Sequence, residues 1–107
     1  MPYSRFLISG VLILLCTAAQ AATVENIRVW SESGKTRVVL DLSHPARHNI
    51  FTLRGPDRLV VDLKSSRLAE SLKAMPSGTG SVRSIRSAVR ANGQLRVVLD
   101  LNEAVRS

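Results

Sequence analysis

Five arginines recur at matching places along the chain, and with one tryptophan they are the side chains best suited to meeting a ligand. Arg28 and Arg86 hold equivalent places in Val24-Glu25-Asn26-Ile27-Arg28 and Val82-Arg83-Ser84-Ile85-Arg86. Arg37, Arg58 and Arg96 each open a copy of one six-residue pattern that ends in Asp-Leu. A guanidinium is a planar fork of five donors that matches a carboxylate, so repeated arginines offer repeated, weak, additive contacts to a polyanion. Trp30 adds a ring able to stack on a sugar. In each pattern an aspartate follows the arginine by four residues. In a strand both lie on one face, where they can pair with neighbouring strands or meet a ligand.

The residues needed for catalysis do not come together in the sequence. His44 and His48 are the only histidines. Pro45 between them disfavours the helix that would bring an i, i+4 pair onto one metal, and two ligands without a third seldom hold zinc. No serine sits in Gly-x-Ser-x-Gly, and Gly78-Thr79-Gly80 is too short for a phosphate loop. The chain is therefore expected to carry no catalytic residue, no metal site and no cofactor, and to act by binding.

Location decides what it would bind. Met1 to Arg5 carry one cation, Phe6 to Ala19 are almost uninterruptedly apolar, and Ala19-Gln20-Ala21 is a small-x-small cleavage pattern. Residues 1–21 read as a secretory signal cut between Ala21 and Ala22, too short to span a bilayer comfortably. Cys16 leaves with it, so the exported chain must hold together without disulfides. Removing 21 of the 107 residues leaves 86, enough for one domain, 22–107, with a modest core. Loss of Arg5 lowers the formal charge from +7 to +6, and twelve of the fifteen basic residues are arginine. Inside a cell that surface would suggest nucleic acid. Outside the inner membrane it suggests peptidoglycan carboxylates or lipid head groups, with no nucleic acid and no stable membrane insertion once the signal is gone.

The elements that position these side chains are strands. Arg37-Val38-Val39-Leu40-Asp41-Leu42, Arg58-Leu59-Val60-Val61-Asp62-Leu63 and Arg96-Val97-Val98-Leu99-Asp100-Leu101 are short and rich in β-branched residues. Alternation puts Val38, Leu40 and Leu42 on a core face and Arg37, Val39 and Asp41 on the other. A longer repeat contains two of them: the offset from Val24 to Val82 is 58 residues and from Arg37 to Arg96 it is 59. The extra residue falls in the intervening turn. Ser33-Gly34-Lys35, Asn92-Gly93 and Gly55-Pro56-Asp57 are turn signals. The expected fold is mainly β, an antiparallel sandwich of two similar sheets from an internal duplication. One short helix is expected over 65–74, with Leu68 and Leu72 on one side, and a flexible connector over 76–80. Parity sets Trp30 beside Arg28, opposite Ile27 and Val29, and its repeat counterpart is Ala88. Shifted by the same offset, the Arg58 strand would recur near 116–122, so the second copy is expected to lack its last strand or two.

The run Ile27-Arg28-Val29-Trp30, then Thr36-Arg37-Val38-Val39-Leu40-Asp41-Leu42, Phe51-Thr52-Leu53 and Pro56-Asp57-Arg58-Leu59-Val60-Val61-Asp62-Leu63 resembles the AMIN domain. The resemblance covers essentially all of the chain after the signal. It implies a sandwich of two similar four-stranded sheets in the periplasm, at the N-terminus of an N-acetylmuramoyl-L-alanine amidase. There the domain binds peptidoglycan and directs the enzyme to the division septum, with septal division proteins as further partners. Zinc would belong to a separate catalytic domain following this one. AMIN domains also occur in type IV pilus secretins, and a general polyanion binder is a third reading. The residues expected to touch peptidoglycan are Arg28, Trp30, Arg37, Arg58, Arg86 and Arg96.

Overall fold

The computed structural model describes residues 21–72 and 74–104, so the signal segment apart from Ala21 lies outside the described residues. The strands are β1 (Ala22–Glu32), β2 (Lys35–Leu42), β3 (His48–Leu53), β4 (Arg58–Leu63), β5 (Ser66–Leu68), β6 (Val82–Val89) and β7 (Leu95–Leu101). They form two sheets, one ordered β2-β1-β5 and the other β3-β4-β7-β6. Val24 and Ile27 of the first sheet join Val61, Leu63, Ile85, Leu95, Val97 and Leu99 of the second in one hydrophobic core. The mainly β, two-sheet fold is thus the one read from the strand patterns.

The duplication is visible in the backbone. The β1–β2 hairpin has Asn26 opposite Asp41, and the β6–β7 hairpin has Ser84 opposite Asp100. Each carries a bulge at the same point, between Val24 and Asn26 in one and between Val82 and Ser84 in the other. The bulge has a reason in the sequence. Val24 and Ile27 are three apart and would face opposite ways in a regular strand, yet both are buried. One inserted residue, Glu25 or Arg83, turns both apolar side chains to the core. The hairpin loops differ by one residue. Ser33 and Gly34, both at positive φ, close the first. In the second, Arg90 N–H donates to Gln94 O at 2.6 Å around Ala91, Asn92 and Gly93. Asn92 and Gly93 supply the positive φ that a right-twisted hairpin needs.

Three features depart from the sequence reading. The expected helix over 65–74 is replaced by β5 and a single 3-10 turn at Glu70–Leu72. Ser65, at a φ of 48°, folds the chain back along β1, where Ala22 N–H donates to Ser65 O and Ala69 N–H to Val24 O, both at 3.0 Å. With those backbone groups committed to a sheet, only one turn is left to bury Leu72. β5 runs parallel to β1, the exception among otherwise antiparallel pairs. The connector over 76–80 is docked rather than flexible: Val82 N–H bonds Thr79 O, Ser81 N–H bonds Thr36 Oγ1, and Asn102 Nδ2 donates to Gly80 O. Gly78 lies so close to β6 that a Cβ there would strike the carbonyls of Val82 and Arg83.

The β3–β4 hairpin of the first copy crosses to the sheet of the second. By the symmetry of the two hairpins, a counterpart of β4 would lie beside β2. No strand occupies that place among the described residues, so this sheet has three strands where its companion has four.

Candidate functional site

The six expected ligand residues divide between the outer faces of the two sheets. Arg58, Arg86 and Arg96 share one face and Arg28, Trp30 and Arg37 the other, so no single surface gathers all six.

On the four-stranded sheet, strand register builds three rows. Asn49, Asp62, Arg96 and Ala88 lie side by side, then Phe51, Val60, Val98 and Arg86, then Leu53, Arg58, Asp100 and Ser84. Arg96 donates through Nε and Nη2 to the two oxygens of Asp62, each at 2.8 Å, and its guanidinium stands 5.5 Å over the Phe51 ring. Arg86 grips Asp100 in the same forked way at 2.8 and 2.9 Å, and Ser84 Oγ donates to Asp100 at 2.8 Å. Both aspartates are 6 % exposed. A carboxylate so enclosed stays charged only because donors surround it. The bonds from Arg86 hold the Asp100 carboxyl down to about 2, against the opposing pull of burial and with help from Ser84. Those from Arg96 lower Asp62 likewise. Arg58 Nε donates to Pro56 O at 3.1 Å. Here the Arg and Asp spacing serves cross-strand pairing.

The three-stranded sheet repeats the design with more water. Arg28 forks onto Asp41 at 3.0 and 3.1 Å, the counterpart of Arg86 on Asp100, but the two side chains are 51 % and 39 % exposed. Among the described residues Arg37, the counterpart of Arg96, pairs with Glu32 alone, at 3.3 Å. Trp30 lies opposite Arg37, 36 % exposed, with the Arg28 guanidinium 6.0 Å from its ring and its Nε1–H donating to Glu32 Oε1 at 3.3 Å. The indole, with the Arg28 guanidinium near its ring and Arg37 opposite it across the strands, offers a stacking surface beside groups that can donate to a carboxylate.

The repeat pattern did not point to a cavity of about 420 Å³ at the end of β3, β4 and β7, lined by Arg47, His48, Asn49, Asp62, Lys64 and Gln94. Arg47 and Lys64 have no side-chain partner among the described residues, and neither has a place in the repeats that would have singled it out. The histidines do not converge. His44 Nδ1 is 2.9 Å from Ser43 Oγ, His48 Nδ1 donates to Ala46 O, and no group of three His, Cys, Asp or Glu among the described residues could hold a metal. The described residues therefore do not fit a zinc site.

A family model described as the AMIN domain matches residues 26–107. The chain belongs to the AMIN domain family. The match starts just past the β1 bulge and takes in both hairpins, so both outer faces lie within the AMIN domain. The chain is 26 % identical over 102 residues to N-acetylmuramoyl-L-alanine amidase AmiC of Neisseria meningitidis serogroup B, covering 92 % of this chain and 24 % of the relative. It is 28 % identical over 92 residues to the AmiC of Escherichia coli O6:H1, covering 82 % of this chain and 22 % of that protein. The chain thus spans about a quarter of the length of the curated relatives it matches.

Proposed function

We propose that this AMIN domain is a periplasmic peptidoglycan-binding module and the targeting part of an N-acetylmuramoyl-L-alanine amidase. In that role it holds the enzyme at the septum, with septal division proteins as a second class of partner, while the cell wall is cut between daughter cells. The observation that carries this reading is Trp30, open to water between Arg28 and Arg37. A glycan ring can lie on the indole while neighbouring guanidiniums meet lactyl and stem-peptide carboxylates. Both relatives are named for the amidase, and the chain matches only a quarter of each. Cutting the amide bond falls to the part it does not match, and retention on the polymer falls to this part. The basic surface adds attraction that salt screens over about 8 Å at physiological ionic strength.

Cosedimentation of residues 22–107 with purified sacculi tests the reading. Trp30→Ala is expected to cut the bound fraction several-fold in a folded protein, Arg28→Glu to cut it further, and added salt to weaken what remains. Arg96→Glu is a poor probe, because it sets a second carboxylate against enclosed Asp62 and so tests folding. Binding indifferent to Trp30, to Arg28 and to salt would refute the proposal.

A further inference from the structure

One more row lies on the outer face of the four-stranded sheet, a step beyond the last ladder pairs. His48 stands opposite Leu63, Leu63 opposite Leu95 and Leu95 opposite Val89. Carried one residue further, that register aligns Arg47, Lys64, Gln94 and Arg90. Two backbone bonds hold the alignment: Lys64 N–H donates to Arg47 O at 2.9 Å, and Arg90 N–H to Gln94 O at 2.6 Å. Alternation turns the four side chains to the face that carries Asn49, Asp62 and Arg96. The row is three cations and one amide, spanning about 14 Å across three strand spacings of about 4.8 Å.

Nothing in the row balances its charge. Arg47, Lys64 and Arg90 have no side-chain hydrogen bond or ion pair among the described residues. The cavity of about 420 Å³ opens against this row, and the one carboxylate in its wall is already taken. Both oxygens of Asp62 accept from Arg96, and the charge of Arg90 helps hold that carboxyl low. The described chain leaves the sheet at its other end, where Ala104 lies with Thr52 and Arg58. Like charges side by side on neighbouring strands destabilise a sheet, so the row costs the fold unless an anion joins it. The other sheet shows the balanced version. By the offsets of 58 and 59, Arg90 corresponds to Glu32 and Gln94 to Lys35, which face each other where the β1–β2 hairpin closes. Glu32 also accepts from Arg37 and Trp30. Where one sheet end has an acid, the other has an arginine.

We infer that this row and its cavity bind a short peptide carrying two or more carboxylates, at a site separate from the Trp30 surface on the other sheet. The volume falls within the usual range of small-ligand sites, about 300 to 1,000 Å³, and a lone carboxylate or phosphate would leave most of it empty. The spacing asks for more than one anionic group: Arg47 and Lys64 are neighbours, whereas Arg90 stands two strands from Lys64. Gln94 between them and Asn49 in the wall can each donate and accept, as peptide bonds do. A phosphate ester offers acceptors alone. The source of the peptide rests on the peptidoglycan reading, under which stem peptides supply the carboxylates while glycan lies on Trp30.

Titration of the exported protein with the soluble stem tripeptide released from purified sacculi, followed by backbone amide shifts, tests the site. Saturable shifts centred on Arg47, Lys64, Gln94 and Arg90 are expected. Lys64→Glu and Arg90→Glu should each weaken binding about tenfold, the value of one charge-assisted contact, and the peptide with its carboxylates amidated should not bind. Arg54→Glu makes the same charge change in the turn at the far end of the sheet and is expected to bind as wild type does. Because Lys64 and Arg90 hold no partner, their variants should keep the wild-type thermal midpoint, which separates lost binding from lost fold. Peptide affinity unmoved by both reversals overturns the inference. So does pyrophosphate bound as tightly as the peptide, the mark of a general anion site. Glycan strands stripped of stem peptides report on the Trp30 surface alone. Strands retained while the peptide stays unbound overturn this inference only; peptide bound at the row while strands are not retained supports it and counts against the Trp30 reading.

Discussion

Replacing Asp100 with Asn removes the charge that Arg86 and Ser84 converge on, at a site 6 % exposed in the middle of the larger sheet. The size of the effect follows from the carboxyl's acidity. Folding takes it from an ordinary 3.8 to about 2, and at ~1.4 kcal/mol per unit this is about 2 kcal/mol in favour of the folded, ionised form. Arg86 leaves 59 % of its side chain in water, and screening by that solvent reduces the expected value to about 1 to 2 kcal/mol. The sign is that of a depressed acid. The contribution is complete above the ordinary value of 3.8 and is lost as the pH falls toward about 2. Urea unfolding of wild type and Asp100→Asn should therefore differ by that amount at pH 7, and the gap should close on acidification as the wild type protonates. Asp62 titrates in both proteins and cancels. Asp41→Asn is the internal control, since it breaks the equivalent fork to Arg28 where both side chains are well exposed, and it should cost at most about 0.5 kcal/mol. Equal costs for the two variants, or a gap at Asp100 that ignores pH, would refute the view that burial separates these twin ion pairs.

Two further outcomes are expected. Gly78→Ala drives a methyl group into backbone carbonyls of Val82 and Arg83 that cannot move aside cheaply, so it should destabilise by about 1 to 3 kcal/mol; thermal unfolding measures this, and an unchanged midpoint would mean that the connector is not held against β6. The exported protein should begin at Ala22, and intact mass after export reads this directly. A product still carrying Cys16 and released only by detergent would contradict it.

Much of the fold is written locally. Alternation in the three Arg-to-Leu patterns places Val38, Val97 and Leu99 toward the core, and Ser33-Gly34 and Asn92-Gly93 mark turns because few other residues accept positive φ there. The 58 and 59 offsets anticipate that both hairpins share one plan, down to the extra loop residue. Parity places Trp30 beside Arg28, and an exposed ring is what the fold presents. Partner choice was not legible. Three nearly identical strands are equally good neighbours for one another on local grounds, and only packing in three dimensions sends β4 to β7 rather than to β2. That choice decides which arginines are bound and which are open. Arg96 and Asp62 lie 34 residues apart in sequence and close a buried fork, while Arg37, which opens the same six-residue pattern, makes an exposed pair with Glu32. Residues 65–74 carry the spacing of a helix, but a backbone that finds partners along β1 satisfies its hydrogen bonds there instead. Side-chain type and turn chemistry act over a few residues, so sequence determines the strands, their faces and their repeats. Burial is a property of the assembled sheets, and it alone decided which copies of one motif became structure and which were left as surface.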